Sequence, residues 1–143
     1  MSVKLLSDLR VKVAADATLS AYYQARYGRQ PSQFIGYKPP NAKDLPSISY
    51  VPVRNKLSIK PRHIDGQASL VVAVNEKDLT GNVFDGVTVT EQLILMLRNL
   101  LESQPLGSMA NFMDLTMTTD TGASHPFYEA ELSFKFMALS LYV

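Results

Sequence analysis

The sequence predicts an α+β domain: a four-stranded, mainly antiparallel sheet with helices packed on one face, in the element order α-β-β-α-β-β. Three observations carry this. Residues 86–103 place Leu93, Leu97, Leu100 and Leu101 at helical spacing, with Ile94 and Met96 widening the stripe, and Thr88 and Glu91 stand at the spacing of a capping box. Residues 67–75 are apolar on both faces, as a central strand requires. Residues 113–118 and 128–136 alternate apolar and polar side chains on either side of the turn-rich run 120–126, the pattern of an antiparallel hairpin.

Taken in order, residues 2–15 form a short amphipathic helix, because Leu6, Leu9 and Val13 share a face while Lys4, Ser7, Asp8, Arg10 and Lys12 fill much of the rest. Residues 18–27 add a further helical turn or two, with Leu19, Tyr22, Tyr23 and Tyr27 on one side and Gly28 placed to stop it. Those tyrosines either fill the core edge with wet hydroxyls or form a subunit contact, where tyrosine is enriched. From 29 to 44, Pro31, Gly36, Pro39 and Pro40 call for an irregular surface passage with one short strand around Phe34, Ile35, Gly36 and Tyr37. Residues 45–53 alternate as a strand around Ile48 and Tyr50, and Pro46 and Pro52 confine it to an edge or a bulged position. A free edge invites pairing with another subunit.

Residues 55–66 then read as a long hairpin connection or projecting arm. In the strand that follows, Ala68, Leu70, Val72 and Val74 line one face while Val71 and Ala73 keep the other apolar. Residues 76–86 read as a polar loop through Gly81-Asn82 and Asp85-Gly86. Beyond the long helix, which Pro105 and Gly107 end, Met113, Leu115 and Met117 alternate with Asp114, Thr116 and Thr118. In the closing strand Tyr128, Ala130, Leu132, Phe134 and Phe136 face the core while Glu129, Glu131, Ser133 and Lys135 face solvent.

The length of 143 residues fits one domain, 1–143, and a formal net charge of +1 implies neither disorder nor a strongly polyanionic partner. So small a net charge gives little self-repulsion and is compatible with an oligomer. With no cysteine, disulfides and thiolate chemistry are excluded, and two histidines supply a zinc site poorly. The first residues show no long apolar run before their charges, so no signal peptide, no membrane span and synthesis in the cytoplasm are expected.

Tests for catalysis come back empty. There is no Gly-rich phosphate loop, no nucleophile elbow and no histidine pair at metal spacing. His63 lies in a basic stretch and His125 in a turn before Pro126; adjacency of Ser124 and His125 does not make a triad, which needs convergence in space. Asp78 and Asp85, like Glu129 and Glu131, invite reading as acidic pairs, but period two on a strand makes the latter two a solvated face. Arg54, Lys56, Lys60, Arg62 and His63 are the one local charge concentration: a solubilising loop, a salt-bridge arm between subunits, or a pore-facing phosphate contact. An RNA-recognition domain would need aromatic residues on an exposed strand face, and the run around Leu70 offers none.

In its start from Val3 to Leu9, its run Leu45-Pro46-Ser47-Ile48-Ser49-Tyr50, its apolar strand from Ser69 to Val74, its long helix and its closing Leu132-Ser133-Phe134-Lys135-Phe136, the chain resembles the tail terminator (tail completion) proteins of long-tailed bacteriophages and prophages, Mu-like or lambda-like. The likeness covers nearly the whole length. It implies a structural virion protein, not an enzyme, that forms a homohexameric ring on the head-proximal end of the tail tube, terminates polymerisation and prepares head attachment. It further implies the tail tube protein and a head–tail connector protein as partners, DNA only as cargo through a pore, no cofactor, no metal, no membrane, and a place in the virion tail after synthesis in the bacterial host cytoplasm. The segment 22–40 departs from shorter members. Interface expectations therefore fall on Tyr22, Tyr23, Tyr27, Phe34, Tyr37, Ile48 and Tyr50, with Arg54, Lys56, Lys60, Arg62 and His63 as pore or salt-bridge arm. The alternatives are another tail or neck joining protein, or a small nucleic-acid-binding module using residues 54–63.

Overall fold

A computed structural model describes residues 2–59, 62–103 and 110–139. The chain opens with helix α1 (Ser2–Ala15) and helix α2 (Ala17–Tyr27), followed by strand β1 (Ser32–Ile35), a 3-10 turn at Ala42–Asp44, strand β2 (Ser47–Ile59) and strand β3 (Arg62–Asn75). A two-residue pair, β4 (Leu79–Thr80) and β5 (Val83–Phe84), leads into helix α3 (Asp85–Ser103), and the strands β6 (Ala110–Thr118) and β7 (Phe127–Leu139) close the described fold. The main sheet has five strands in the order β1-β2-β3-β7-β6, with β1 parallel to β2 and the other pairs antiparallel. This corrects the expected four-stranded antiparallel sheet and the order α-β-β-α-β-β. The four residues Ser32–Ile35, held between Pro31 and Gly36, return beside Ser47–Tyr50 through a crossover, and no local alternation announces a parallel partner across such a gap.

The helices share one face of the sheet. Leu5, Leu6, Leu9 and Val13 of α1 are buried, as are Val89, Leu93, Ile94, Leu97, Leu100 and Leu101 of α3. Each such side chain withdrawn from water contributes roughly 1.5–3 kcal/mol. Beneath them run cross-strand rows of apolar residues, Ile48–Val72–Ala130 and Tyr50–Leu70–Leu132–Met117. Helix α2 is started by Asp16, whose carboxylate accepts the Leu19 N–H at 2.9 Å, and is closed by Gly28 at φ +67°. Helix α3 begins at Asp85, almost a turn before the expected capping box. Thr88 and Glu91 therefore lie inside the helix, which instead seats Gly86 against the ring of Tyr128 and lets Thr90 Oγ1 donate to the Gly86 carbonyl at 2.8 Å.

Two bulges rewrite the strand pattern. In β2 the register shifts between Pro52 and Arg54, so that the helix side of the sheet takes Ile48 and Tyr50, both buried, before the bulge and Leu57, opposite Ile64 but exposed, after it. Residues 55–59 and 62–66, expected as a connection or arm, are consequently regular strand, and β3 stays paired with β7 as far as His63 opposite Leu139. In β6 the shift lies between Met113 and Thr116, with Asp114 at φ +53°. Phe112, Leu115 and Met117 pack on the core, whereas Met113, in phase with Leu115 in the sequence, lies opposite Lys135 on the other face. The polar stretch expected as a loop at 76–86 contains the β4–β5 pair, turned by Gly81 at φ +63°. The predicted helix end at Pro105 and Gly107 lies outside the described residues, as do Lys60 and the Arg62 side chain.

A candidate assembly surface on the open face of the sheet

The face of the sheet turned away from the helices is built in rows. From one end to the other they read Ser32–Ser47–Ala73–Glu129, then Phe34–Ser49–Val71–Glu131–Thr118, then Val51–Ser69–Ser133–Thr116, then Arg54–Gln67–Lys135–Met113, then Lys56–Asp65–Met137. Period two in each strand and the two bulges put these side chains together. At the first end the chain covers itself. The segment after β1 straps the face through two residues: the Tyr37 hydroxyl donates to Glu129 at 2.8 Å, and the Lys38 N–H donates to Ser49 Oγ at 3.2 Å. Desolvation, with help from Glu129, holds the Tyr37 hydroxyl up to about 12, so it remains a donor. Ser47, Ser49, Ser69 and Ala73 are buried beneath or beside this strap.

Past the strap the face is open. Three adjoining grooves of about 450, 360 and 390 Å³ follow it, the first walled by Val51, Val53 and Val71, the last by Met113 and Met137. Val53 is 59% exposed, and Met113 and Met137 are 40% and 41% exposed, so aliphatic surface stands in water there. Glu131 Oε1 accepts hydrogen bonds from Ser69 Oγ at 2.8 Å and Ser133 Oγ at 2.7 Å, and Glu129 is held by Tyr37. Among the described residues neither carboxylate has a cation at ion-pair distance. Lys135 pairs with Asp114 at 3.4 Å and His63 Nε2 lies 3.2 Å from Asp65, while Arg54 and Lys56 have no ion-pair partner among the described residues. The bulges at Val53 and Asp114 sit on β2, beyond its short pairing with β1, and on β6, and interrupt the strands flanking this region, while the outer edge of β1 carries no bulge.

The residues singled out by sequence are divided by the structure. Tyr23, Ile48 and Tyr50 are fully buried and so take no part in the chain's surface. Burial pushes the Tyr23 and Tyr50 hydroxyls up; Tyr50 donates to Gln33 Oε1 at 2.7 Å, and Tyr23 OH has no partner among the described residues. Tyr22 donates to Gln92 at 2.8 Å across the α2–α3 contact. Tyr27 donates to Glu76 at 2.6 Å, and burial, then this bond, raise its hydroxyl. Phe34 is half-buried on β1 with Lys38 Nζ 6.0 Å from its ring centroid. Of the seven aromatic and aliphatic candidates Tyr37 borders the open face, and Phe34, opposite Ser49 in the parallel pairing, lies on the same side of the sheet. Arg54 and Lys56 lie on it, at the end opposite Tyr37, and Asp65 stands across from Lys56, so the basic stretch is interrupted by an acid.

Two features escaped the sequence reading. Glu129 and Glu131 are anchored members of the open face rather than a freely solvated one. Glu76, 9% exposed at the end of β3, accepts from Arg26 Nε at 2.7 Å and from Tyr27, and Arg26 also approaches Asp85 at 3.8 Å, tying α2 to β3 and α3. Only the acidic residue itself is visible in sequence, since its partners lie about fifty positions away. His125 Nδ1 is hydrogen-bonded to Tyr128 OH and its ring packs 5.1 Å from Phe84, and no group of three metal-ligating side chains forms among the described residues.

The fold and this face define a class: an α+β chain with helices on one side of a mixed sheet and a partly apolar, charge-bearing surface on the other. No protein-family model matches the sequence, and no curated protein matches it significantly. Among the described residues no helix is long and apolar enough to cross a membrane.

Proposed function

We propose that the chain is a structural assembly protein of the tail-terminator kind. Its copies form a ring, hexameric in the family it resembles, that caps the head-proximal end of a phage tail tube, stops polymerisation and offers a surface for head attachment. One observation carries the reading beyond the resemblance: the sheet face beyond Tyr37 and Lys38 exposes valine and methionine beside Arg54 and Lys56, which form no ion pair among the described residues. Surface of that composition belongs at contacts between proteins. The bulges in β2 and β6 disfavour strand addition beside this region, which leaves its face as the surface on offer there. The partners in this reading are further copies, the tail tube protein and the head–tail connector protein, with DNA as cargo, and the place of action is the virion tail. The nucleic-acid module loses support, because Asp65 and Asp114 lie among the cations such a module would use.

Adding the purified protein to polymerising tail tubes tests the proposal. Growth that halts, with tubes shorter than in its absence, is the expected result. Tubes of unchanged length, together with a strictly monomeric protein at high concentration, would overturn it.

A further inference from the structure

Charge on the open face is uneven from end to end: Glu129 and Glu131 stand at one end, and at the other the cations Arg54, Lys56 and Lys135 outnumber the acids Asp65 and Asp114 by one. Glu131 and Lys135 stand four residues apart on β7, about 13 Å, and Glu129 lies about 20 Å from Lys135 along the same strand. At the acidic end Glu129 and Glu131 take hydrogen bonds from hydroxyls alone. At the other end Lys135 pairs with Asp114 at 3.4 Å, and Asp65 lies 3.2 Å from His63 Nε2 and opposite Lys56 in the strand register, while Arg54 and Lys56 form no ion pair among the described residues. Both ends are set in exposed aliphatic surface: Val53 beside the carboxylates, Met113 and Met137 beside the cations. A surface that carries exposed aliphatic side chains and opposite net charge at its two ends is complementary to itself.

We propose that the occupant of this face is a second copy of the chain, laid so that Arg54 and Lys56 of one copy meet Glu129 and Glu131 of the next. The inference rests on the assembly reading and names the surface that reading uses. Each copy then offers its basic end to one neighbour and its acidic end to another, a heterologous contact that closes a ring when the rotation allows. Arg54 and Lys56 are exposed and Glu129 and Glu131 half-buried until the contact forms, so association weakens as salt rises.

Charge reversal in two pieces tests it. Arg54→Glu with Lys56→Glu makes one variant, and Glu129→Lys with Glu131→Lys the other; sedimentation is compared with the unaltered protein. Each variant alone juxtaposes like charges and is expected to associate at least about a hundredfold more weakly, whereas an equimolar mixture matches opposite charges at every contact and recovers the original mass. A milder variant, Glu129→Gln with Glu131→Gln, keeps acceptors for Tyr37 and Ser69 and is expected to lose about tenfold, so a folding failure of the reversed variant does not decide the matter. Variants that assemble like the original protein overturn the inference, as does a mixture that stays monomeric although both components melt normally. If such variants also still arrest tube growth, the contact lies elsewhere and the assembly reading survives. If the unaltered protein is monomeric and leaves tubes unchanged, both fall. A recovered mass that is only a dimer supports the contact and counts against the ring. Loss of DNA retention at unchanged mass in the Arg54→Glu, Lys56→Glu variant assigns that end to nucleic acid and overturns the inference.

Discussion

Replacing Gly86 by alanine sets two effects of opposite sign against each other, and the structure decides between them. In an unconstrained helix the change stabilises by about 1 kcal/mol, because glycine loses more backbone freedom than alanine on folding. Here the added methyl falls on the ring of Tyr128, overlapping it by roughly 1 Å against the ~3.5 Å of ordinary carbon contact. The ring has nowhere to go: Tyr128 is fully buried, its hydroxyl is hydrogen-bonded to His125, and the His125 ring meets it edge-on. Overpacking of this kind costs 1–3 kcal/mol or more, and an overlap against a fixed aromatic ring belongs at the top of that range, leaving a net loss of about 2 kcal/mol. For 143 residues the unfolding entropy is about 0.3 kcal/mol/K, so Tm should fall by about 7 °C in a thermal melt. Shortening the ring as well, Tyr128→Leu, should make the double variant better than the sum of the singles by about 1 kcal/mol. A Gly86→Ala protein that melts above the unaltered one would refute the seating of α3 on Tyr128.

Three further outcomes follow from the core and its polar ties. Leu97→Ala removes a fully buried side chain from the centre of α3 and should cost about 2–5 kcal/mol in urea unfolding; an unchanged midpoint would contradict its placement between helix and sheet. Glu76→Ala strips the partner from Arg26 and Tyr27 together, and a loss of about 1.5–3 kcal/mol is expected, against no change if the network were incidental. The buried and bonded tyrosines, Tyr37 at about 12 among them, keep their protons in the folded chain after an unfolded chain has begun to lose them near 10. The unfolded state then binds fewer protons, so stability is full below pH 10 and falls as pH rises from there through the folded values. Tyrosinate absorbance followed alongside circular dichroism checks this, and phenolates that titrate near pH 10 in a still-folded protein would count against it.

Where the sequence spoke clearly, one element carried its own evidence. The stripe of α3 is visible because all its buried leucines sit within three turns of one another, and β3 is recognisable as central because Val71 and Ala73 are apolar on the face that most strands leave polar. Where a bulge intervenes, parity changes and alternation misleads. The bulge at Val53 moves the helix side of β2 from Ile48 and Tyr50 to Leu57, which is itself exposed, so regular strand reads as an arm, and Asp114 sends Met113 to the face opposite Leu115. The pairing of β1 with β2 was hidden for another reason: parallel partners are chosen by the crossover between them, and four residues hold too little pattern to show it. The open face was half legible. Period two placed Glu129, Glu131 and Lys135 on one side of β7, but nothing along that strand shows Tyr37 arriving from 92 residues away or Arg54 sharing a row with Lys135.

Electron microscopy of tail tubes polymerised with this protein is the most direct measurement of the assembly claim. Tubes arrested short and capped at one end by a ring with a central hole are the predicted result; tubes of unaltered length with bare ends would contradict it.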